Sequence, residues 1–180
     1  YSTSNQGYFS FNGSTQYASN SSPNLISGNN AFTKSAWIYS NYKGSSSNHP
    51  NIISWGNNTT SQKNGFSLQT DGSGNPLILL WFYSNDYTFA VSDLTGAWHN
   101  VVINYASPTA SLYIDGNFSS SVTVSAPSVV GTTNLEIGGW ANSSPYFFNG
   151  NISQISIYNR TLSTTEIVQN FNSLRYRYGI

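Results

Sequence analysis

The sequence predicts an all-β fold: a β-sandwich of antiparallel sheets with one short helix near the C-terminus. Three observations carry this. Strand-like stretches recur about eleven times in 180 residues, separated by Gly, Asn, Asp, Ser and Pro rather than by helices. Trp98–Tyr105 reads as a strand with Trp98, Val101 and Ile103 apolar and His99, Asn100 and Asn104 polar. It is followed by Leu112-Tyr-Ile-Asp-Gly116, whose Asp-Gly end suits a tight hairpin because both residues accept positive φ.

The elements follow in chain order. Tyr8–Phe11 ends at Asn12-Gly13, and Phe32–Tyr39 alternates with Trp37 and Tyr39 on one side. Asn51–Trp55 ends at Gly56, and Gly65–Thr70 ends at the turn-rich Asp71-Gly-Ser-Gly-Asn-Pro76. Leu77–Tyr83 is apolar on both faces, which places it inside a sheet rather than at an edge. Tyr87–Val91, Trp98–Tyr105, Ala110–Ile114, Ser119–Val124, Asn134–Ile137 and Gly150–Tyr158 complete the set. Ser163-Thr-Thr-Glu166 has the spacing of a capping box. Ile167, Phe171 and Leu174 then recur on one helical face, with Arg175 and Arg177 near the C-terminal end. This helix is expected to clasp the sandwich edge. No linker, repeat or charge run divides the chain, so residues 1–180 read as one domain, and Tyr42–His49 reads as a surface loop.

Composition narrows the function. Charged residues make up 7% of the chain, with six basic against six acidic, too few cations for a phosphate-binding surface; nucleic acid is not an expected partner. Aromatics reach 16%, so solubility must come from amides and hydroxyls. The absence of Cys excludes disulfides and thiolate metal sites. The longest apolar run is too short to span a bilayer, and membrane insertion is not expected. A chain that starts at Tyr1 and contains no Met is expected to be processed or trimmed.

Seven pieces in order, covering nearly the whole chain, resemble a laminin-G-like domain of the concanavalin A-like lectin and glucanase superfamily. They are Phe9-Ser-Phe-Asn-Gly13, Phe32-Thr-Lys-Ser-Ala-Trp-Ile38, Trp98-His-Asn-Val-Val102, Leu112-Tyr-Ile-Asp-Gly116, Leu135-Glu-Ile-Gly-Gly139, Phe148-Asn-Gly-Asn-Ile152 and Ile157-Tyr-Asn-Arg-Thr-Leu-Ser163. Gln169–Ile180 also resembles the ends of such domains in structural proteins of marine phages and algal viruses. The resemblance implies a jelly-roll sandwich of two curved antiparallel sheets. It also implies recognition of glycans or proteins rather than catalysis, with calcium often near one rim. Most of these pieces are fold motifs: Trp37 and Trp98 are expected to fill the core, and Asp115-Gly116 to make a turn.

The residues themselves point away from catalysis. Glycanases of the superfamily that the chain resembles need two or three carboxylates clustered on one strand, because acid and nucleophile must sit within ~5.5 Å for retaining hydrolysis. Here the glutamates are Glu136 and the capping Glu166, while Asp71, Asp86, Asp93 and Asp115 fall at turns or strand ends with no i, i+2 or i, i+4 pair. No nucleophile-elbow sequence accompanies His49 or His99, which read as surface or strand residues. Glycan binding asks for exposed rings beside amides or carboxylates. Tyr83-Ser-Asn85-Asp86-Tyr87 and Trp140-Ala-Asn142-Ser-Ser-Pro-Tyr146 meet that description, and Tyr42 with His49 meets it more weakly. No cofactor is required. The metal the sequence admits is calcium, on Asp71, Asn75 and Asp86. Asn12, Asn20, Asn57, Asn58, Asn117, Asn142, Asn151 and Asn159 each begin a glycosylation sequon, little above the roughly six expected by chance in a chain this rich in Asn, Ser and Thr.

Two readings follow. The first is a non-catalytic recognition or adhesion module, lectin-like, outside a cell or on a virion surface, with surface glycans as partners. The second is a structural subunit, such as a capsid decoration, fibre or filament protein, whose aromatic loops meet virion proteins or other copies of itself in a homo-oligomer; low charge opposes such association little. The direction in which Tyr83, Tyr87, Trp140 and Tyr146 point separates them.

Overall fold

The computed structural model describes residues 7–21, 24–140 and 146–180. Among these the chain forms β1 (Phe9–Asn12), β2 (Ala18–Asn20), β3 (Phe32–Ser40), β4 (Asn51–Gly56), β5 (Lys63–Thr70) and β6 (Pro76–Trp81). There follow β7 (Tyr87–Ala90), β8 (Trp98–Ala106), β9 (Thr109–Ile114), β10 (Asn117–Thr123), β11 (Leu135–Ile137), β12 (Asn149–Tyr158), helix α1 (Thr164–Leu174) and a 3₁₀ turn at Arg175–Tyr178. The strands build two six-stranded sheets, ordered β1-β12-β3-β8-β9-β10 and β2-β11-β4-β5-β6-β7. Every paired neighbour is antiparallel, as the sequence pattern predicts. The eleven predicted strands are present; β2 is an addition, a three-residue edge strand paired only to β11.

Alternation fixes which side chains enter the core. Phe32, Ala36 and Ile38 of β3 meet Phe66 and Leu68 of β5, Ile78 and Leu80 of β6, and Val101, Ile103 and Tyr105 of β8 between the sheets. Burying each large apolar side chain contributes about 1.5–3 kcal/mol, so this interior dominates stability. Lys34 occupies the same inward row and is fully buried. Its ammonium lies 2.5 Å from Asn64 Oδ1 and 5.2–5.4 Å from the ring centroids of Phe32, Trp55 and Phe66. Burial holds its pKa well below the usual lysine value. The apolar-on-both-faces reading of β6 holds: it lies between β5 and β7, with Leu79 and Trp81 buried on the face away from the core.

Two expectations about the outer layer need correction. Trp37 and Trp98 do not fill the core between the sheets; they lie on the opposite face of the first sheet. Trp37 is stacked between Phe171 at 5.6 Å and Tyr178 at 4.1 Å, and Trp98 packs on Tyr178 at 4.8 Å. The reason is parity: Ala36 and Ile38 point inward, so Trp37 points outward. The helix accordingly covers the outer face of β3, β8 and β9 rather than clasping an edge. Ile167 packs on Val102 and Tyr113, and Phe171 lies over Gly116, where a Cβ would meet its ring at 3.0 Å.

The helix start follows the predicted capping box. Ser163 Oγ accepts from the Glu166 amide at 3.3 Å, and Glu166 Oε2 accepts from the Ser163 amide at 2.8 Å. Arg160 grips Glu166 with two nitrogens at 2.6 and 3.1 Å, and holds its carboxyl pKa down at about 2. Arg175 caps the helix and Arg177 falls in the following 3₁₀ turn. Asp115 and Gly116 both take positive φ, 50° and 76°, in the β9–β10 turn. Among the described residues no helix is long and apolar enough to cross a membrane.

Candidate functional site: an aromatic cleft on the second sheet

The second sheet carries its own layer on the face away from the core. Alternation points Lys63, Gly65, Ser67 and Gln69 of β5, Leu79 and Trp81 of β6, Ser54 of β4 and Glu136 of β11 to this side. Near its middle, Lys63 Nζ meets Glu136 Oε2 at 3.0 Å, with both side chains almost fully buried. Burial lowers the Lys63 pKa, and the Glu136 charge and hydrogen bond work against that shift. The Lys63 ammonium lies 5.6 Å from the Trp81 ring and 5.1 Å from the Trp140 ring, so two indoles flank one paired cation.

Asn51 and Ile52 of β4 hold the chain on either side of Trp140 and Tyr146 to this sheet. Asn51 Nδ2 donates to the Gly139 carbonyl at 2.7 Å, and the Asn51 amide donates to the Tyr146 carbonyl at 3.0 Å. A second anchor runs from the Gly138 amide to the Ile52 carbonyl at 3.1 Å. Trp81 can lie flat on β5 because its neighbour there is glycine: a Cβ on Gly65 would fall 2.2 Å from Trp81 Nε1.

The β6–β7 turn supplies the remaining wall. Tyr83 and Ser84 both take positive φ, 66° and 56°, in a left-handed pair that costs non-glycine residues about 1–2 kcal/mol each. Asp86 Oδ1 accepts from the Phe82 amide at 2.9 Å and braces the turn. Burial on the cleft side raises the Asp86 carboxyl pKa against these amide bonds.

The result is a cavity of about 290 Å³ walled by Trp81, Tyr83, Trp140 and Tyr146, with Asp86 and His49 at its polar side. Trp140 is the hub: its ring centroid is 5.3 Å from Trp81, 6.4 Å from Tyr83 and 5.1 Å from Tyr146. His49 lies 5.6 Å from Tyr146, and its Nε2 is 3.1 Å from the Gln69 side-chain amide. Trp81 Nε1, Ser67 Oγ and Gln69 Oε1 are buried on this face without hydrogen-bond partners among the described residues. In the cleft itself Asp86 and His49 set hydrogen-bonding groups beside apolar rings, the pairing that a ligand with one apolar face and an edge of hydroxyls requires.

The structure sorts the predicted glycan residues. Tyr83, Asp86, Trp140 and Tyr146 converge, and His49 joins them. Asn85 and Tyr87 do not: Tyr87 Oη donates to Asn85 Oδ1 at 2.7 Å and accepts from the Ser125 amide at 2.7 Å, while Asn85 Nδ2 donates to Ser61 Oγ at 3.1 Å. Tyr87 packs against the core, because it pairs with inward-facing Leu80. Asn142 lies outside the described residues. Tyr42 does not line the cleft. Trp81, Lys63 and Glu136 belong to this layer although the sequence reading gave them no site role; the outward apolar positions Leu79 and Trp81 were the signal that something covers the sheet.

The calcium set does not assemble. Asp71 and Asn75 precede β6 and Asp86 follows it, so the six-residue strand holds them about 20 Å apart. Asp71 is also spent on its own turn, accepting from the Ser73 and Asn75 amides at 2.8 and 2.9 Å and from Asn75 Nδ2 at 2.8 Å. These bonds hold its pKa below the usual carboxylate range. Among the described residues no three His, Asp or Glu side chains gather as a metal site.

Of the sequons, Asn12, Asn20, Asn57, Asn58, Asn117 and Asn159 are exposed. Asn151 is half-buried inside β12, between Ser10 and Tyr39, and its sequon Ser153 is buried, with its hydroxyl donated to the Gly7 carbonyl.

Residues 12–168 match a laminin-G family model described as the concanavalin A-like lectin/glucanases superfamily. Comparison with curated proteins finds no match. Several solved structures share the fold. A heptameric SAP-like pentraxin from Limulus polyphemus is 14% identical, with a TM-score of 0.65 over 88% of this chain and 78% of that one. Domain 4 of an extracellular arabinanase from Geobacillus stearothermophilus, in complex with arabinotriose, is 20% identical, with a TM-score of 0.62 over 81% of this chain and 68% of that one. The CBM40 of the Ruminococcus gnavus IT-sialidase, bound to α2,3-sialyllactose, is 14% identical, with a TM-score of 0.61 over 86% of this chain and 98% of that one.

Proposed function

The chain belongs to the concanavalin A-like lectin/glucanase superfamily, and on that premise we propose that it is a non-catalytic, lectin-like module that binds glycans in the aromatic cleft of its second sheet. One observation carries the reading: rings from two distant stretches of the chain, Trp81 and Tyr83 on one and Trp140 and Tyr146 on the other, meet around a carboxylate and a histidine on one open face. Flat rings cover the apolar face of a sugar, and Asp86 and His49 offer bonds to its hydroxyls. The solved structures in complex with arabinotriose and with sialyllactose lend support to a sugar as ligand class.

A recognition role fits the carboxylates better than hydrolysis does. The described cleft lining holds Asp86 alone, whereas glycoside hydrolysis uses an acid and a second carboxylate. No metal is required in this reading. The setting is extracellular or a virion surface. A glycan array probed with and without calcium tests it: binding that persists in chelator and is lost in Trp140→Ala supports the proposal, and silence across the array refutes it.

The second reading, a virion, fibre or filament subunit that contacts its own copies, draws on Phe118, 56% exposed on edge strand β10, and Tyr176, 77% exposed. Silence on the array together with ordered self-assembly by electron microscopy would favour it.

A further inference from the structure

Trp140 separates two cavities rather than closing one. On its other side lies a second, more open hollow of about 430 Å³, walled by Asn57, Asn58, Thr133, Asn134 and the Lys63–Glu136 pair. Asn57, Asn58 and Asn134 are exposed, so three amides rim a hollow that shares the indole with the aromatic cleft. Each cavity is at or below the small end of the range for ligand pockets, room for one or two sugar rings rather than a branched glycan.

The fixed charges here are few and specific. Lys63 is neutralised by Glu136 at 3.0 Å, and neither charge is open to solvent. Asp86 is the other acidic group that lines either cavity. No other lysine or arginine lines either cavity among the described residues. Lys34 is in the core, Lys43 lines a separate small hollow with Leu68 and Pro76, Arg160 is held by Glu166, and Arg175 and Arg177 lie in the 3₁₀ turn on the other sheet.

Resting on the glycan reading above, we propose that the two cavities act as consecutive subsites for an uncharged, unbranched oligosaccharide laid across Trp140, and that acidic glycans are excluded. The aromatic cleft takes one unit by ring stacking. The indole of Trp140 supports the chain as it crosses. The amides of Asn57, Asn58 and Asn134 then bond the hydroxyls of the next units, where neutral donors and acceptors serve better than a cation. An anionic sugar would meet the Asp86 carboxylate with no cation to answer it. Trp140 keeps its place as the shared support because Lys63, Trp81 and Tyr146 hold its ring from below and from the side.

The test is isothermal titration calorimetry with neutral gluco-, xylo-, arabino- and galacto-oligosaccharides of one to six units, alongside oligogalacturonates of matching length and sialyllactose. Affinity for a neutral series is expected to rise about tenfold or more between one and four units, with the acidic probes at least about tenfold weaker. The double variant Asn58→Ala/Asn134→Ala, confined to exposed rim residues, should bring the long chain down to the affinity of the single unit and leave the single unit unchanged. Trp140→Ala should lose both. Affinity that does not grow with length, or is unchanged by the double variant, overturns the subsite arrangement. Acidic probes that bind as tightly as neutral ones overturn the charge argument, and both failures leave the glycan reading standing. Binding of no sugar at all removes that reading, and this one with it.

Discussion

Replacing Gly65 with alanine isolates the support on which the cleft depends. The added Cβ would fall 2.2 Å from Trp81 Nε1, 2.4 Å from Cε2 and 2.9 Å from Cζ2. Carbon contacts are comfortable only from about 3.5 Å, so the indole must retreat by more than 1 Å. It has little room, because its ring is held against Trp140 at 5.3 Å and against the Lys63 ammonium at 5.6 Å. Overpacking of this kind costs about 1–3 kcal/mol. For a chain of this size each kcal/mol lowers Tm by about 2–4 °C, so a fall of roughly 2–12 °C is expected. Glycan affinity should fall with it, as Trp81 and Trp140 no longer present one continuous wall. Calorimetric melting and titration of the best array ligand measure both. Gly72→Ala is the control, since a Cβ there meets nothing within 4 Å. A Gly65→Ala protein that melts and binds as the parent does would show that Trp81 does not rest on β5 as described.

Other expectations can be checked alongside. Lys34→Met, combined with Asn64→Leu so that no buried amide loses its partner, should stabilise the fold by about 1–4 kcal/mol near neutral pH, as measured by urea denaturation. The sign with pH follows from the lowered folded pKa: the unfolded chain holds a proton that the folded chain has released, so parental stability climbs from that value up to 10.5 by at most about 1.4 kcal/mol per pH unit, a slope the variant should lack. Ser163→Ala removes the helix N-cap and should cost about 1 kcal/mol by the same denaturation assay. Because the Glu166 carboxyl is held near 2 in the fold, its stabilising contribution is present above its ordinary pKa and is lost as pH falls toward 2; circular dichroism at acid pH should show a smaller loss in Glu166→Gln than in the parent.

What could be read from the sequence was what local pattern encodes. The Ser163–Glu166 box, the Asp115-Gly116 turn and the alternating strands each declare themselves within a few residues, and each is found in place. Strand β2 does not: Ala18-Ser-Asn20 has no apolar alternation and is a strand only because β11 pairs with it. The helix was legible but its resting place was not, since that depended on which parity of β3 faces outward. The site divides the same way. Tyr83, Asp86, Trp140 and Tyr146 were named from ring-and-amide clusters, but the same clusters contained Asn85 and Tyr87, which the β6–β7 hairpin turns toward Ser61, Ser125 and the core. The Lys63–Glu136 pair joins residues 73 apart in the chain, and no local spacing announces it.

The stacking of Tyr178 on Trp37 has a practical corollary. It seats the end of the chain against the outer side of the first sheet, while the aromatic cleft opens from the outer side of the second, with the full thickness of the sandwich between them. A tether added after Ile180 would therefore leave from the back of the molecule. Protein immobilised through such a tether on a sensor chip or bead would turn its rings toward the solution, and a surface crowded with such copies would present an array of clefts facing one way.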